Sequence, residues 1–308
     1  MAVLSELRYP TTRFAKALSG LLAIILFAIV AVGTISGFLL YQILKPPRSP
    51  AMFDLNVMMG HPTMFSFTPP GGTQQDGWFF PGLRGAPTII VSHGYLSQRG
   101  DVLTLAAALQ QHEFNAFVFD YAGHGSSAGP TSLGYREAAE LQAAVQALSG
   151  RDDVDPQHFG LWGIDMGAYA SLAVASADKR VGALAVDNVY DSPYDLLQIE
   201  VKNSGLSALP FVTGFCKFGF QMLNYQYREQ LPLSVRLGAT RGIPKLFIQT
   251  DDKPVLARDT ATMFAKAPDP KQLAEQSVSY RDMSDEDRRN YENEIANFFA
   301  QYLPLQSR

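Results

Sequence analysis

The chain has 308 residues and a formal net charge of −4, with a pI near 5.7. That length supports one large domain with a well-buried core. The mild acidity argues against nucleic acid as a partner, and a single cysteine, Cys216, excludes an intramolecular disulfide framework.

Residues 1–16 are polar and mildly basic, with Arg8, Arg13 and Lys16 against Glu6. Ala17 to Leu44 then runs for 28 residues without a charge. As a helix this run is about 42 Å long, enough to cross a hydrocarbon core of about 30 Å with tilt. It is too long for a signal-peptide core, and no Ala-x-Ala-like cleavage site follows it. The expectation is one transmembrane helix over 17–44. Gly33 and Gly37 form a GxxxG pattern that would let a second helix approach, either a copy of this chain or a membrane-protein partner. Three basic residues precede the span, and Lys45 and Arg48 follow it. The positive-inside bias points to a cytoplasmic N-terminus and an extracytoplasmic domain. Residues 45–52, with Pro46, Pro47 and Pro50, read as a short stiff stalk, and the domain proper occupies 53–308.

From Phe53 to Phe80 the pattern is short strands and turns, ending in Trp78-Phe79-Phe80. Pro87–Ser92 is a continuous β-branched run, as expected of a strand buried on both faces. Asp101–His112 reads as a helix, Asn115–Phe119 as a buried strand and Gly134–Leu148 as an amphipathic helix. Phe159–Trp162 and Val181–Val186 are further strands. Tyr190–Gly242 breaks the rhythm with an aromatic-rich stretch that reads as a helical cap insertion. Pro244–Gln249 resumes a strand. Arg258–Ala267 is a helix, Ser277–Arg281 a last short strand and Glu286–Tyr302 a closing helix. Alternating strand and helix predicts an α/β fold with a mostly parallel sheet covered on both faces.

Between the Phe159 strand and the next helix lies Gly163-Ile164-Asp165-Met166-Gly167. Gly-x-nucleophile-x-Gly makes the sharp strand-to-helix turn of a nucleophile elbow. The glycines are needed because a Cβ there would meet the neighbouring backbone. With VSHGY at 91–95 and DYAGHGSSAG at 120–129, this motif makes the chain from Phe53 to Leu303 resemble the α/β-hydrolase fold. The resemblance is to bacterial serine hydrolases of the esterase and acyl-peptidase type.

The resemblance implies roles for particular residues. His93 and Gly94 would shape the oxyanion loop, and Asp120 and His124 would hold the loop that follows their strand. The N–H groups of Tyr95 and Met166 would donate to a tetrahedral oxyanion. The family's chemistry needs Ser, then Asp or Glu, then His, in that chain order. Here the nucleophile position carries Asp165. His61, His93, His112, His124 and His158 all precede it, and none follows. Tyr280 to Ser284 fills the stretch where the histidine belongs. An ungapped match to the family's acid loop sets Lys253 on the acid position, with Asp251 and Asp252 beside it; Asp252 is the candidate acid.

Two readings of function follow. In the first, the chain is a membrane-anchored, catalytically silent relative that acts as a binding or structural subunit. Asp165 would then turn its own carboxylate into the oxyanion hole. In the second, it is a hydrolase of esters, epoxides or haloalkanes with Asp165 as nucleophile and His93 or His124 as a displaced base. A metal held by Asp165, His93 and His124 has no supporting ligand spacing, so no metal and no cofactor are expected.

Overall fold

The computed structural model describes residues 12–48, 60–303 and 305. Parts of the N-terminal tail and stalk, Arg8 and Pro50 among them, and the expected domain start at Phe53 lie outside the described residues.

In chain order the elements are helix α1 (Arg13–Leu44), strands β1 (Thr63–Phe67), β2 (Gln75–Phe80) and β3 (Ala86–Ser92), and helix α2 (Leu103–Gln111). Strand β4 (Asn115–Phe119), helix α3 (Tyr135–Leu148), strand β5 (Val154–Ile164), helix α4 (Met166–Ala175) and strand β6 (Val181–Asp187) follow. The chain continues with helices α5 (Pro193–Asn203), α6 (Val212–Leu223) and α7 (Leu233–Arg236). It closes with β7 (Lys245–Thr250), α8 (Pro254–Lys266), β8 (Lys271–Gln276) and α9 (Asp285–Tyr302).

The strands form one sheet in the order β1-β2-β4-β3-β5-β6-β7-β8. The β1–β2 and β2–β4 pairings are antiparallel, and every later pairing is parallel. The central strands explain the architecture. Every residue of β3 and of β4 is buried, so both faces of the sheet must be covered. Ile89, Val91, Val118 and Trp162 join the core built with α2 and α9. The alternate residues Ile90, Phe117 and Leu161 are equally buried, because side chains along a strand alternate between faces.

The elbow forms where its glycines allow it. A Cβ on Gly163 would collide with the Gly167 backbone, and one on Gly167 with the carbonyls of Ser92 and His93. Helix α4 thus lies directly on the ends of β3 and β5, and the turn between them is held tight.

Two boundaries differ from the sequence expectation. The last strand is β8 at 271–276 rather than 277–281, and Tyr280–Asp282 is a single 3-10 turn. β8 is an edge strand with no buried residue, so its polar composition hides it from a search for apolar alternation. The interval 190–242 does hold helices. Leu197–Arg228 groups with the N-terminal helix through Ile43 as one compact unit, and the rest of the chain forms the other. Within the larger unit the excursion is clasped where it leaves and returns: the Asp191 carboxylate accepts from the Ser234 N–H at 2.7 Å and hydroxyl at 2.8 Å. The same unit holds Leu44, the last residue of α1, whose carbonyl accepts from the Thr131 N–H at 2.9 Å.

The elbow packing makes a stability prediction. Gly167→Ala should cost roughly 1–3 kcal/mol by overpacking. Gly238→Ala, where a Cβ meets nothing within 4 Å, should stay within about 0.5 kcal/mol of the parent. Denaturant titration of the full chain in detergent checks both.

Candidate functional site

Asp165 sits at the turn between β5 and α4 with φ 49 and ψ −111. A non-glycine residue with positive φ is strained, and the surroundings must hold it there. Two backbone hydrogen bonds do so. The Asp165 N–H donates to Asp187 O at 2.9 Å, and its carbonyl accepts from the Tyr169 N–H at 3.0 Å. Gly94 leaves room for the side chain, since a Cβ there would come within 3.0 Å of Asp165 Oδ2.

The side chain's partner is Lys253. Its Nζ donates to Asp165 Oδ2 at 3.0 Å. Lys253 ends the loop after β7 and starts α8, the position where the resemblance expects a triad acid. A cation therefore stands where an anion would orient an imidazole. The other carboxylate oxygen, Oδ1, is buried without a hydrogen-bond partner. The expected fold-back into the oxyanion hole is not found. Asp165 makes no side-chain cap to the N-terminus of α4, and its one side-chain hydrogen bond goes to Lys253. The ammonium offers a full charge within reach, which outweighs a neutral N–H. Met166 and Tyr95 keep their places beside the elbow, but neither donates to Asp165.

Neither nearby histidine is set up as a base. His93 is fully buried. Its Nε2 accepts from the Tyr121 N–H at 3.1 Å, so its Nδ1 is the donor to Gly94 O at 2.8 Å. Both ring nitrogens are spent on the backbone, and burial pushes its pKa down. His124 lies 5.3 Å from His93, ring centre to ring centre. Its Nδ1 pairs with Ala122 O at 3.2 Å, and its Nε2 is buried and unpartnered. Burial, with His93 next to it, takes its pKa down to about 3. The hydrogen bonds of the two rings thus run to backbone groups of their own and neighbouring loops. The Asp120 carboxylate accepts from the N–H groups of Arg99 at 2.8 Å and Ser126 at 2.9 Å.

Asp252, the candidate acid, is bonded to Ser279. Its Oδ2 accepts from the Ser279 N–H at 2.9 Å and hydroxyl at 2.8 Å. Those bonds more than offset its burial and hold its pKa below the usual value. This ties the acid loop to the loop where a histidine belongs. There Tyr280 points into the core, its hydroxyl donating to Glu292 Oε1 at 2.6 Å. Arg281 reaches Leu96 O at 3.3 Å.

One member of the site escaped the sequence. Asp187, at the end of β6, is fully buried. Tyr291 donates to its Oδ2 at 2.8 Å and accepts from Trp162 Nε1 at 3.1 Å. Its Oδ1 has no partner. Burial, opposed by the Tyr291 bond and reinforced by Asp165, pushes its pKa up to about 7. Burial likewise raises Asp165, only partly offset by Lys253. Lys253 is raised too: burial opposes this, but the charge and hydrogen bond of Asp165 outweigh it. The pair is unequal. Lys253 keeps 33% of its side chain in solvent and Asp165 only 11%, so Lys253 gains from pairing while Asp165 loses more to dehydration than the ammonium returns. Lys253 is charged at neutral pH and cannot take a proton. Among the described residues no group of three His, Cys, Asp or Glu side chains is arranged to hold a metal ion.

The comparisons bear on the fold. A family model described as alpha/beta hydrolase fold matches residues 87–206. The uncharacterized protein YfhR of Escherichia coli O157:H7 is 35% identical over 134 residues, 42% of this chain and 46% of that protein. The polyketide transferase grgF of Penicillium sp is 33% identical over 131 residues, 41% of this chain and 45% of that one. The chain spans under half the length of these curated relatives. The Pyrococcus furiosus esterase Pf2001 has a similar fold, with a TM-score of 0.65 at 16% identity, over 84% of this chain and 100% of that one.

Two predictions follow. Between the ordinary carboxylate range and about 7, the folded state holds a proton on Asp187 that the unfolded state has lost. Stability should therefore fall as pH rises through that window, by up to about 4 kcal/mol. Asp187→Asn should flatten the slope, as read from denaturation midpoints between pH 4.5 and 7.5. Lys253→Met should cost roughly 1–3 kcal/mol at pH 7.5, by leaving the Asp165 carboxylate buried and unpaired. The cost should shrink toward pH 4.5, where that carboxyl takes up a proton.

Proposed function

Taking the chain as an α/β-hydrolase-fold protein, we propose that it is a membrane-anchored relative that no longer performs acyl transfer and serves as a binding or structural subunit. The observation that carries this reading is the 3.0 Å ion pair between Lys253 and Asp165. Acyl transfer needs a nucleophile whose proton is removed and whose acyl product water can later cleave. A carboxylate that attacks an ester carbonyl forms a mixed anhydride, which is higher in energy than the ester consumed. The ammonium beside Asp165 also lowers its nucleophilicity, and the two imidazoles described near the elbow are poor activators of water, His93 being bonded through both nitrogens and His124 buried.

A second reading has one observation in its favour: Asp165 occupies the strained elbow turn with φ 49, where a reactive group is presented. A carboxylate there attacks an alkyl carbon, expels halide or opens an epoxide, and becomes an alkyl ester. Releasing it requires a base to deprotonate water. With both His93 nitrogens bonded to backbone, His124 buried and Lys253 charged, the ester would persist.

Anchoring rests on α1, a 32-residue apolar helix long enough to span a bilayer. The basic residues ahead of the span favour a cytoplasmic N-terminus. A Cβ on Gly37 would meet nothing within 4 Å, which leaves room for a partner helix there.

The full chain in detergent should show no turnover of short p-nitrophenyl esters above buffer, and Asp165→Ala should leave that rate unchanged. Intact mass after incubation with an epoxide and a haloalkane separates the readings. No adduct supports the silent scaffold. An adduct lost in Asp165→Ala favours the second reading, and Asp165-dependent turnover overturns the first.

A further inference from the structure

The smaller compact unit joins α1 to the segment Leu197–Arg228. Within it, α1 and α6 are packed side by side. A Cβ on Gly33 would lie 3.9 Å from Phe215 Cε1. The Cys216 thiol donates to Ser36 O at 3.5 Å, and a Cβ on Gly219 would come within 2.8 Å of Leu40 Cδ2. The pairs advance together along both helices, so α1 and α6 run in the same direction. The small residues Gly33, Ser36 and Gly219 are what let the two backbones approach.

Helix α6 has two unlike faces. Val212, Cys216 and Phe220 are buried. Phe211, Phe215, Phe218 and Met222 recur at helical spacing on another face and are 77%, 38%, 61% and 49% exposed. Leu209 and Leu223 extend this apolar surface at 43% and 66% exposure. A run of large apolar side chains this open to water is not left uncovered in a soluble protein.

The depth of the α1–α6 contact says what covers it. Arg13 and Lys16 bar a hydrocarbon span from starting before Ala17. A core of about 30 Å takes about 20 helical residues, so even the span nearest the N-terminus reaches Ser36. Gly33, and Phe215 beside it, then lie inside the hydrocarbon in every placement of the uncharged run. Phe211 caps the N-terminal end of α6, and Leu209 lies two residues before it in the turn that leads into that helix. Lys217 falls off the aromatic stripe, and its four-carbon stem can carry the ammonium toward the interface.

We propose that α6 and the turn before it are embedded in the bilayer beside α1, with the face of Phe211, Phe215, Phe218 and Met222 in contact with acyl chains. The protein is then held by a spanning helix and a second, re-entrant one. This rests on the membrane reading of α1.

The test is spin labelling of the full chain in phosphatidylcholine vesicles, in a Cys216→Ser background. Labels go on Phe218→Cys, on Ile29→Cys at mid-span, and on Arg289→Cys, exposed on α9. The ratio of oxygen to nickel-chelate accessibility reads depth. The expected result is a ratio at Phe218→Cys several-fold above Arg289→Cys and close to Ile29→Cys. An aqueous ratio at Phe218→Cys with a lipid ratio at Ile29→Cys overturns the inference and leaves the anchor standing. Aqueous ratios at both overturn the membrane reading and the inference with it. Spin–spin broadening at Phe218→Cys that disappears on dilution with unlabelled chain assigns the face to a second copy and also overturns it. Met222→Cys provides the same reading if Phe218→Cys does not fold.

Discussion

The site depends on one ion pair at a strained turn. An α/β-hydrolase elbow exists to present a side chain at a sheet edge, backed by a helix N-terminus and an oxyanion loop. Here the presented group is a carboxylate, and its partner is the ammonium of Lys253 at 3.0 Å. In the resembling enzymes, an anion in the loop after this strand would orient a histidine. Exchanging that anion for a cation removes the need for the histidine and gives the elbow carboxylate a direct counterion. Asp165, Lys253 and the missing imidazole are therefore one change rather than three. Each makes the others tolerable: an unpaired Asp165 would be costly to bury, and an unpaired Lys253 would be drawn into water.

Dehydration shapes the rest of the neighbourhood. Asp165 and Asp187 each have one buried oxygen without a partner, and a single ammonium faces both. Two adjacent buried carboxyls cannot both ionise cheaply, so at least one holds its proton into the neutral range. The Trp162–Tyr291–Asp187 chain of hydrogen bonds fixes Asp187 from below the sheet edge. Meanwhile the Ser279–Asp252 clasp closes the gap where a catalytic loop would move. The site thus joins paired groups, Lys253 with Asp165 and Ser279 with Asp252, to buried carboxylate oxygens that have no partner.

Much of this fold was legible in the residues. The β-branched runs of β3 and β4 have only one stable destination, a sheet interior, and the elbow glycines are dictated by collisions that no side chain escapes. β8 was not legible, because an exposed edge strand carries no apolar alternation. The site was half legible. Replacement of the serine and absence of a later histidine could be read directly, and the alignment already set Lys253 on the acid position. Its pairing with Asp165 could not be read, because two residues 88 apart in sequence meet only through strand order. Asp187 was missed for a similar reason. A lone Asp ending an apolar strand looks like a solvated turn until the Tyr291 hydroxyl is found beneath it.

The partition of the cap follows from the same economy of surfaces. An insertion rich in Phe, Met and Leu can cover itself in two ways, by closing on the sheet or by joining another apolar element. Val212, Cys216 and Phe220 bury one face of α6, and the small residues of α1 give that helix a surface to pack on. The opposite face stays apolar and uncovered. Had the insertion evolved to meet water, the exposed positions 211, 218 and 222 would be the least costly of the stripe to make polar. They carry two phenylalanines and a methionine instead. An apolar exterior on α6 next to the long apolar helix α1 asks for one covering for both, which puts the segment beside α1 alongside the elbow as a distinctive feature of this chain.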